Sequence, residues 1–280
     1  MSEARRSALW FCARQELVLA TRSRWTQVFA AVFAALALAV AASGYILSGG
    51  SGVQDFARTA ASLIQLILLL TPLTSVVIGV LTLAPERGSA ELLFSQPVSR
   101  RTILLGRLLG LFAALAGAQA LGLGAAGLVI FSRSGEVGAA GYAVLFLAAM
   151  MLTAVFLGLS ALIASGEVGH RARALAVALI AWFVAVALFD VAALGVASIL
   201  RSGPASRVLI GAVLVNPIDA VRTGALLAIQ GTTAFGAASL AFLRFTRGPA
   251  GAAGLLALST ILWITVPAAL ACIRLEKADL

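Results

Sequence analysis

Six runs of this 280-residue chain, at about 26–47, 60–84, 103–131, 139–165, 174–200 and 250–273, are apolar and almost free of charge. Each reaches the roughly 20 residues that a helix needs to cross a hydrocarbon core of about 30 Å. Lipid offers no hydrogen bonds to the backbone, so a segment of this kind has to satisfy its own polar groups as a helix. Hydrophobic residues make up 61% of the chain and mean hydropathy is +1.06, well beyond the roughly 45–50% apolar usage of soluble domains. The expectation is an all-α membrane protein of six transmembrane helices, a single transmembrane domain over 1–280.

The charge of the chain is organised by these runs. A net charge of +9 in a soluble protein would suggest nucleic acid, but here the arginines cluster between the apolar runs, as membrane orientation requires. No basic stripe interleaved with exposed aromatics accompanies them, so nucleic acid is not an expected partner. With both termini on one side, that side holds 13 of the 20 basic residues, which predicts termini in the cytoplasm. Arg5, Arg6, Arg14, Arg22 and Arg24 alternate with Leu9, Trp10, Leu17, Val18 and Trp25. Residues 1–25 therefore read as an amphipathic helix in the lipid interface, and as an anchor too long to be a cleaved leader.

Several kinds of chemistry are excluded. The single lysine, Lys277, is followed by Ala278, so the phosphate-binding pattern GxxxxGK[ST] does not occur. One histidine, no HExxH and no GxSxG leave no catalytic set, and the chain is expected to be neither an enzyme nor the holder of a cofactor. Cys12 and Cys272 stand far apart without CxxC spacing and read as reduced thiols. Met1, Cys12, Met150, Met151, His170 and Cys272 are scattered along the chain, which argues against a soft-metal relay.

The most polar short stretch, Pro85 to Thr102, separates the second and third runs. Gly88 and Pro97 bracket a stubby helix capped by Ser89, with Glu91 near its positive end. Ser99 can cap a further helix that begins with Arg100 and Arg101. Such a charged knuckle between two spans suits docking: Glu86, Arg87, Glu91, Arg100 and Arg101 would fix register, while Leu92, Leu93 and Phe94 fill a groove. A solvated loop that merely orients the helices is the plainer alternative.

Glu86-Arg87-Gly88-Ser89, Glu91-Leu92-Leu93, Ser95-Gln96-Pro97-Val98-Ser99-Arg100 and Gly106-Arg107 together resemble the signature of ABC-2-type transporter permeases. Ser89 stands where that family usually has Thr, and Arg107 where it often has Lys. The resemblance implies a coupling helix within 85–102, a homodimer, and two copies of a separate ABC ATPase that binds ATP and Mg. It also implies the bacterial inner membrane and a long extracytoplasmic loop, 201–249, before the last span. Asn216-Pro217-Ile218-Asp219 with Arg222 narrows the resemblance to membrane subunits of transporters that mature nitrous oxide reductase. That narrower likeness implies a role in copper-site assembly and a periplasmic repeat protein meeting Asn216, Pro217, Asp219 and Arg222. A general ABC-2 exporter of a drug, lipid or polysaccharide, or a scaffold that recruits a soluble partner, remain alternatives.

Three further readings concern the interior. Asp190 lies in the fifth run, where an acid is a candidate for the substrate path or the partner of an arginine. Asn216 to Arg222 can simply form a capped turn, since Asn-Pro starts turns readily and Asp219 can pair with Arg222 at helical spacing. Within 201–249 short or re-entrant helices are favoured over a seventh span. Gly106, Gly110, Gly117, Gly122, Gly124 and Gly127 allow close helix approach along the third run without saying which face is used. Pro72 predicts a kink in the second.

Overall fold

A computed structural model describes residues 3–46, 53–84, 98–134, 139–167, 170–200, 202–231 and 242–277. Helix α1 (Glu3–Arg22) leads into α2 (Arg24–Ile46), α3 (Val53–Leu83), α4 (Arg100–Ser134) and α5 (Ala139–Gly166). Next, α6 (Arg171–Phe183) runs through a π-turn, Val184–Leu188, into α7 (Phe189–Ile199). The chain then forms α8 (Ser202–Val215), α9 (Pro217–Gln230) and α10 (Pro249–Lys277). Among the described residues, six helical segments are long and apolar enough to cross a membrane: α2, α3, α4, α5, the continuous α6–α7, and α10; the pair α8 and α9, bent by 99°, reaches that length and hydropathy only when taken together. Each of the six lies on one of the six apolar runs, because length and hydropathy alone specify a lipid-embedded helix.

Helix α5 is the hub, flanked by α3, α4, α9 and α10. Leu145, Leu152, Val155, Phe156 and Leu157 fill the core along it. Two polar links cross this apolar interior. Gln119 Nε2 donates to Thr153 Oγ1 at 2.9 Å, and the Tyr142 hydroxyl donates to the Leu123 carbonyl. Helix α3 continues through Pro72. Pro72 has no N–H for the carbonyl four residues back, and the Thr74 hydroxyl donates to the Leu70 and Thr71 carbonyls at 2.6 and 3.1 Å.

Helix α1 differs from the amphipathic expectation. Its inner face is Ala13, Glu16 and Ala20, while Trp10, Phe11 and Leu19 share the outer surface with Arg6, Arg14 and Arg22. Size, rather than polarity, separates the two faces. The reason is a notch on α4: a Cβ added at Gly106 would lie 2.6 Å from Cys12 Cβ and 2.9 Å from the Leu9 carbonyl oxygen. One added at Gly110 would lie 2.4 Å from the Ala13 oxygen. Only glycine lets the two backbones approach this closely, so α1 seats on a small-xxx-small pair.

Helices α8 and α9 meet at 99° around Asn216. The first half of α9 is enclosed, with Pro217, Ile218, Asp219, Ala220, Val221 and Ala225 buried. The stretch read as a loop with short helices therefore carries a helix start set into the bundle beside α5 and α10.

Candidate functional site

Two polar assemblies stand out, and the chain's singled-out residues divide between them. The first surrounds the ends of the knuckle. Residues 85–97 lie outside the described residues, and with them Glu86, Arg87, Gly88, Glu91, Leu92, Leu93, Phe94 and Pro97. Their flanks are described. The last four carbonyls of a helix lack partners within it, and in α3 two of these are taken by arginines. Arg107 Nη2 donates to the Thr82 oxygen at 2.6 Å, and Arg171 Nη2 to the Leu81 oxygen at 2.7 Å. Cations also suit the negative end of the helix dipole.

Arg107 reaches further. Its Nε donates at 2.9 Å to Glu16, which is 5% exposed on α1, so one side chain joins α1, α3 and α4. On the far flank, the Ser99 hydroxyl accepts from the Thr102 N–H at 3.4 Å and caps α4 as its sequence suggests. Arg100 Nη1 donates to the Leu275 oxygen at 2.8 Å, and Arg101 pairs with Glu276, both at the end of α10. The two arginines expected to face a docking partner are thus also engaged within the chain. Arg101 keeps 45% of its side chain exposed.

The second assembly joins Asp190 to the Asn-Pro segment. Asn216 caps α9: its Oδ1 accepts from the Ile218 N–H at 3.1 Å, with Pro217 at the first helical position, where no N–H is needed. The Asn216 amide nitrogen donates to Asp219 Oδ2 at 3.1 Å and to the Ala185 carbonyl at 2.9 Å. Ala185 sits in the π-turn, where the wider ring frees carbonyls from the α-helical ladder. Arg222 then bridges two carboxylates, Asp219 Oδ1 at 2.9 Å and Asp190 Oδ2 at 3.2 Å.

The facing helix α10 closes the break from the other side. Ser259 Oγ donates to the Leu214 oxygen at 2.6 Å and Trp263 Nε1 to the Val215 oxygen at 2.9 Å, so the exposed carbonyl end of α8 is satisfied. Asn216 and Asp219 are each 3% exposed and Pro217 is buried. Asn216, Pro217 and Asp219, expected to meet an outside partner, are enclosed within this chain, with the polar atoms of Asn216 and Asp219 engaged at the 99° break. Arg222 and Asp190, with 34% and 36% of their side chains exposed, form the part of the network that reaches the surface. Among the described residues, no three His, Cys, Asp or Glu side chains gather as a metal-binding group.

Sequence reasoning missed Glu16, Ser259, Trp263, Gln119 and Thr153. The available signal was slight: a lone acid inside a basic lead, and polar-tipped residues at i, i+4 spacing within an apolar run.

A bundle of apolar spans, with arginines tying down both flanks of the polar stretch between the second and third, defines a multi-pass membrane protein, and its family is shown by comparison. Residues 10–280 match the family described as ABC-2 family transporter protein, and the chain belongs to that family. It is 31% identical over 239 residues to a Pseudomonas aeruginosa protein described as "Probable ABC transporter permease protein NosY", covering 83% of this chain and 86% of that one. The Stutzerimonas stutzeri protein of the same description is 32% identical over 239 residues, with the same coverage.

Proposed function

We propose that this chain is the membrane subunit through which a separate ABC ATPase drives conformational change across the bacterial inner membrane, for copper-site maturation of nitrous oxide reductase. The observation that carries this reading is the identity of 31–32% over most of the chain to two proteins described as NosY permeases. The physical support lies at the knuckle. Its two flanks are tied by Arg107, Arg171, Arg100 and Arg101 to α1, α4, α6 and α10, so a push on the knuckle is shared by most of the bundle.

In this reading two copies of the chain form a homodimer. Two ATPase subunits, which hold ATP and Mg, dock on residues 85–102, and both termini face the cytoplasm. Copper is not passed along a ligand relay in this subunit. The chain transmits force to a periplasmic repeat protein, or moves another species such as a sulfur compound.

The test is co-purification of the tagged chain from its native host, with mass spectrometry of what remains bound. An ATPase together with a periplasmic repeat protein is the expected result, and an ATPase alone would leave a general ABC-2 exporter. Glu86→Ala combined with Arg87→Ala should abolish stimulation of the ATPase. Binding without any stimulation in the unaltered complex would reduce the chain to a scaffold. Copper retained by the purified chain, and lost on Met150→Leu, would overturn the force-transmitting role.

A further inference from the structure

Two contiguous hollows lie between α4 and α10, and one of them reaches the Arg101 end of the knuckle assembly. One, of about 370 Å³, is lined by Leu105, Leu108, Phe112, Leu157, Gly158 and Ile264, with Leu9 of α1 on its rim. The other, of about 480 Å³, adds Arg101, Thr265, Ala269, Cys272 and Ile273. They share Leu105, Ile264 and Ala268, and so form one groove. Along α4 the groove runs from Arg101 to Phe112, about 16 Å at about 1.5 Å per residue. That is the depth of one leaflet of a core of about 30 Å.

The lining is apolar over this depth and its one ionised residue, Arg101, is at the end where the knuckle emerges. Glu276 takes Arg101 Nε and Nη2; the third guanidinium nitrogen is not part of that pair. A planar guanidinium held at the mouth of an apolar slot suits a phosphate with an acyl chain beneath it. We infer that this groove is a binding site for a membrane glycerophospholipid of the leaflet on the knuckle side, with one acyl chain along α4 and α10 and its phosphate at Arg101. A second copy of the chain has a broader face available. Only 11% of the apolar window of α6–α7 is buried; its packed side meets α3, and the rest of its surface is open.

The site is tested on the full chain in detergent, using native mass spectrometry after incubation with phosphatidylethanolamine and phosphatidylglycerol, followed by graded delipidation. Phospholipid should survive on the unaltered chain. Ala268→Phe, which fills the waist of the groove, should cut retention about tenfold, equivalent to about 1.4 kcal/mol. Leu194→Phe, on the exposed outer side of α7, should leave retention unchanged. Arg101→Gln should weaken retention of both phospholipids while a neutral diacylglycerol binds as before. Equal retention by Ala268→Phe and the unaltered chain would overturn the proposal. So would loss of self-association in Ala268→Phe with no loss of lipid, which would make the groove a chain–chain interface. A misfolded Ala268→Phe is recognised by its thermal unfolding, and Ala269→Phe then serves as the second filling variant, read by the same criterion.

Discussion

The knuckle end and the α8–α9 break both rely on arginine, but in opposite electrostatic settings. At the knuckle, arginines end on backbone carbonyls of helix C-termini: Thr82, Leu81 and Leu275. Each contact there is one of several, shared among α1, α4, α6 and α10. At the break, one arginine stands between two carboxylates, and one of these, Asp219, is buried. The knuckle end is redundant, whereas at the break the buried Asp219 is met by one cation, Arg222. Losing one arginine at the knuckle end therefore leaves other ties in place, whereas losing Arg222 removes the charge pairing of both Asp190 and Asp219.

The largest effect should come from removing that bridge. Arg222→Ala leaves Asp219 enclosed without its cation; breaking a fully buried pair costs about 3–5 kcal/mol, and with Arg222 a third exposed the loss should lie toward the lower end of that range. A thermal unfolding midpoint in detergent should fall sharply, and adding Asp219→Asn should restore part of it. An unchanged midpoint would erase the contrast between the two regions.

Next is Arg107→Gln, which strands Glu16 and the Thr82 carbonyl. A buried polar group left unsatisfied costs about 1–3 kcal/mol, and more when charged. Here α1 should become protease-sensitive before the rest of the chain unfolds. Gly106→Leu attacks the same contact sterically, at about 1–3 kcal/mol for overpacking. Burial pushes the Cys12 thiol up from its usual value, against the pull of Arg107. Lifting α1 should bring that thiol down again, so maleimide should label Cys12 faster at a given pH in this variant. An unchanged labelling profile would mean that α1 does not depend on the glycine notch.

Asn216→Ala should cost about 1 kcal/mol as a lost helix cap, with a further loss if the Ala185 link matters. The smallest effect belongs to Arg101→Gln. Its pair with Glu276 is about half exposed on both sides, and surface ion pairs contribute about 0–1 kcal/mol. A stability loss as large as that of Arg222→Ala would show that the knuckle end is not redundant.

Much of the fold was legible in the sequence wherever one local rule decided it. The spans come from run length, the start of α4 from Ser99, and a capped turn with Asp219 and Arg222 at helical spacing from Asn216-Pro217, which the structure extends into α9. The α1 seat was not legible, because the six glycines of the third run look alike. Gly106 and Gly110 face a backbone, while Gly117 and Gly124 face nothing within 4 Å. Glu16 and Arg107 are 91 residues apart, and no local signal pairs them.

By itself, then, the sequence determined that this is a six-span helical membrane protein with a polar knuckle between its second and third spans. In lipid the backbone must satisfy itself locally, so composition and length suffice. Only the tertiary structure decided that Asp190 meets Arg222, that Asn216 and Asp219 are enclosed, and that α10 completes the end of α8. Those contacts depend on how helices far apart in the chain come together, and on a π-turn. One extra residue there rotates α7 relative to α6 by about 100°, which sets where Asp190 points.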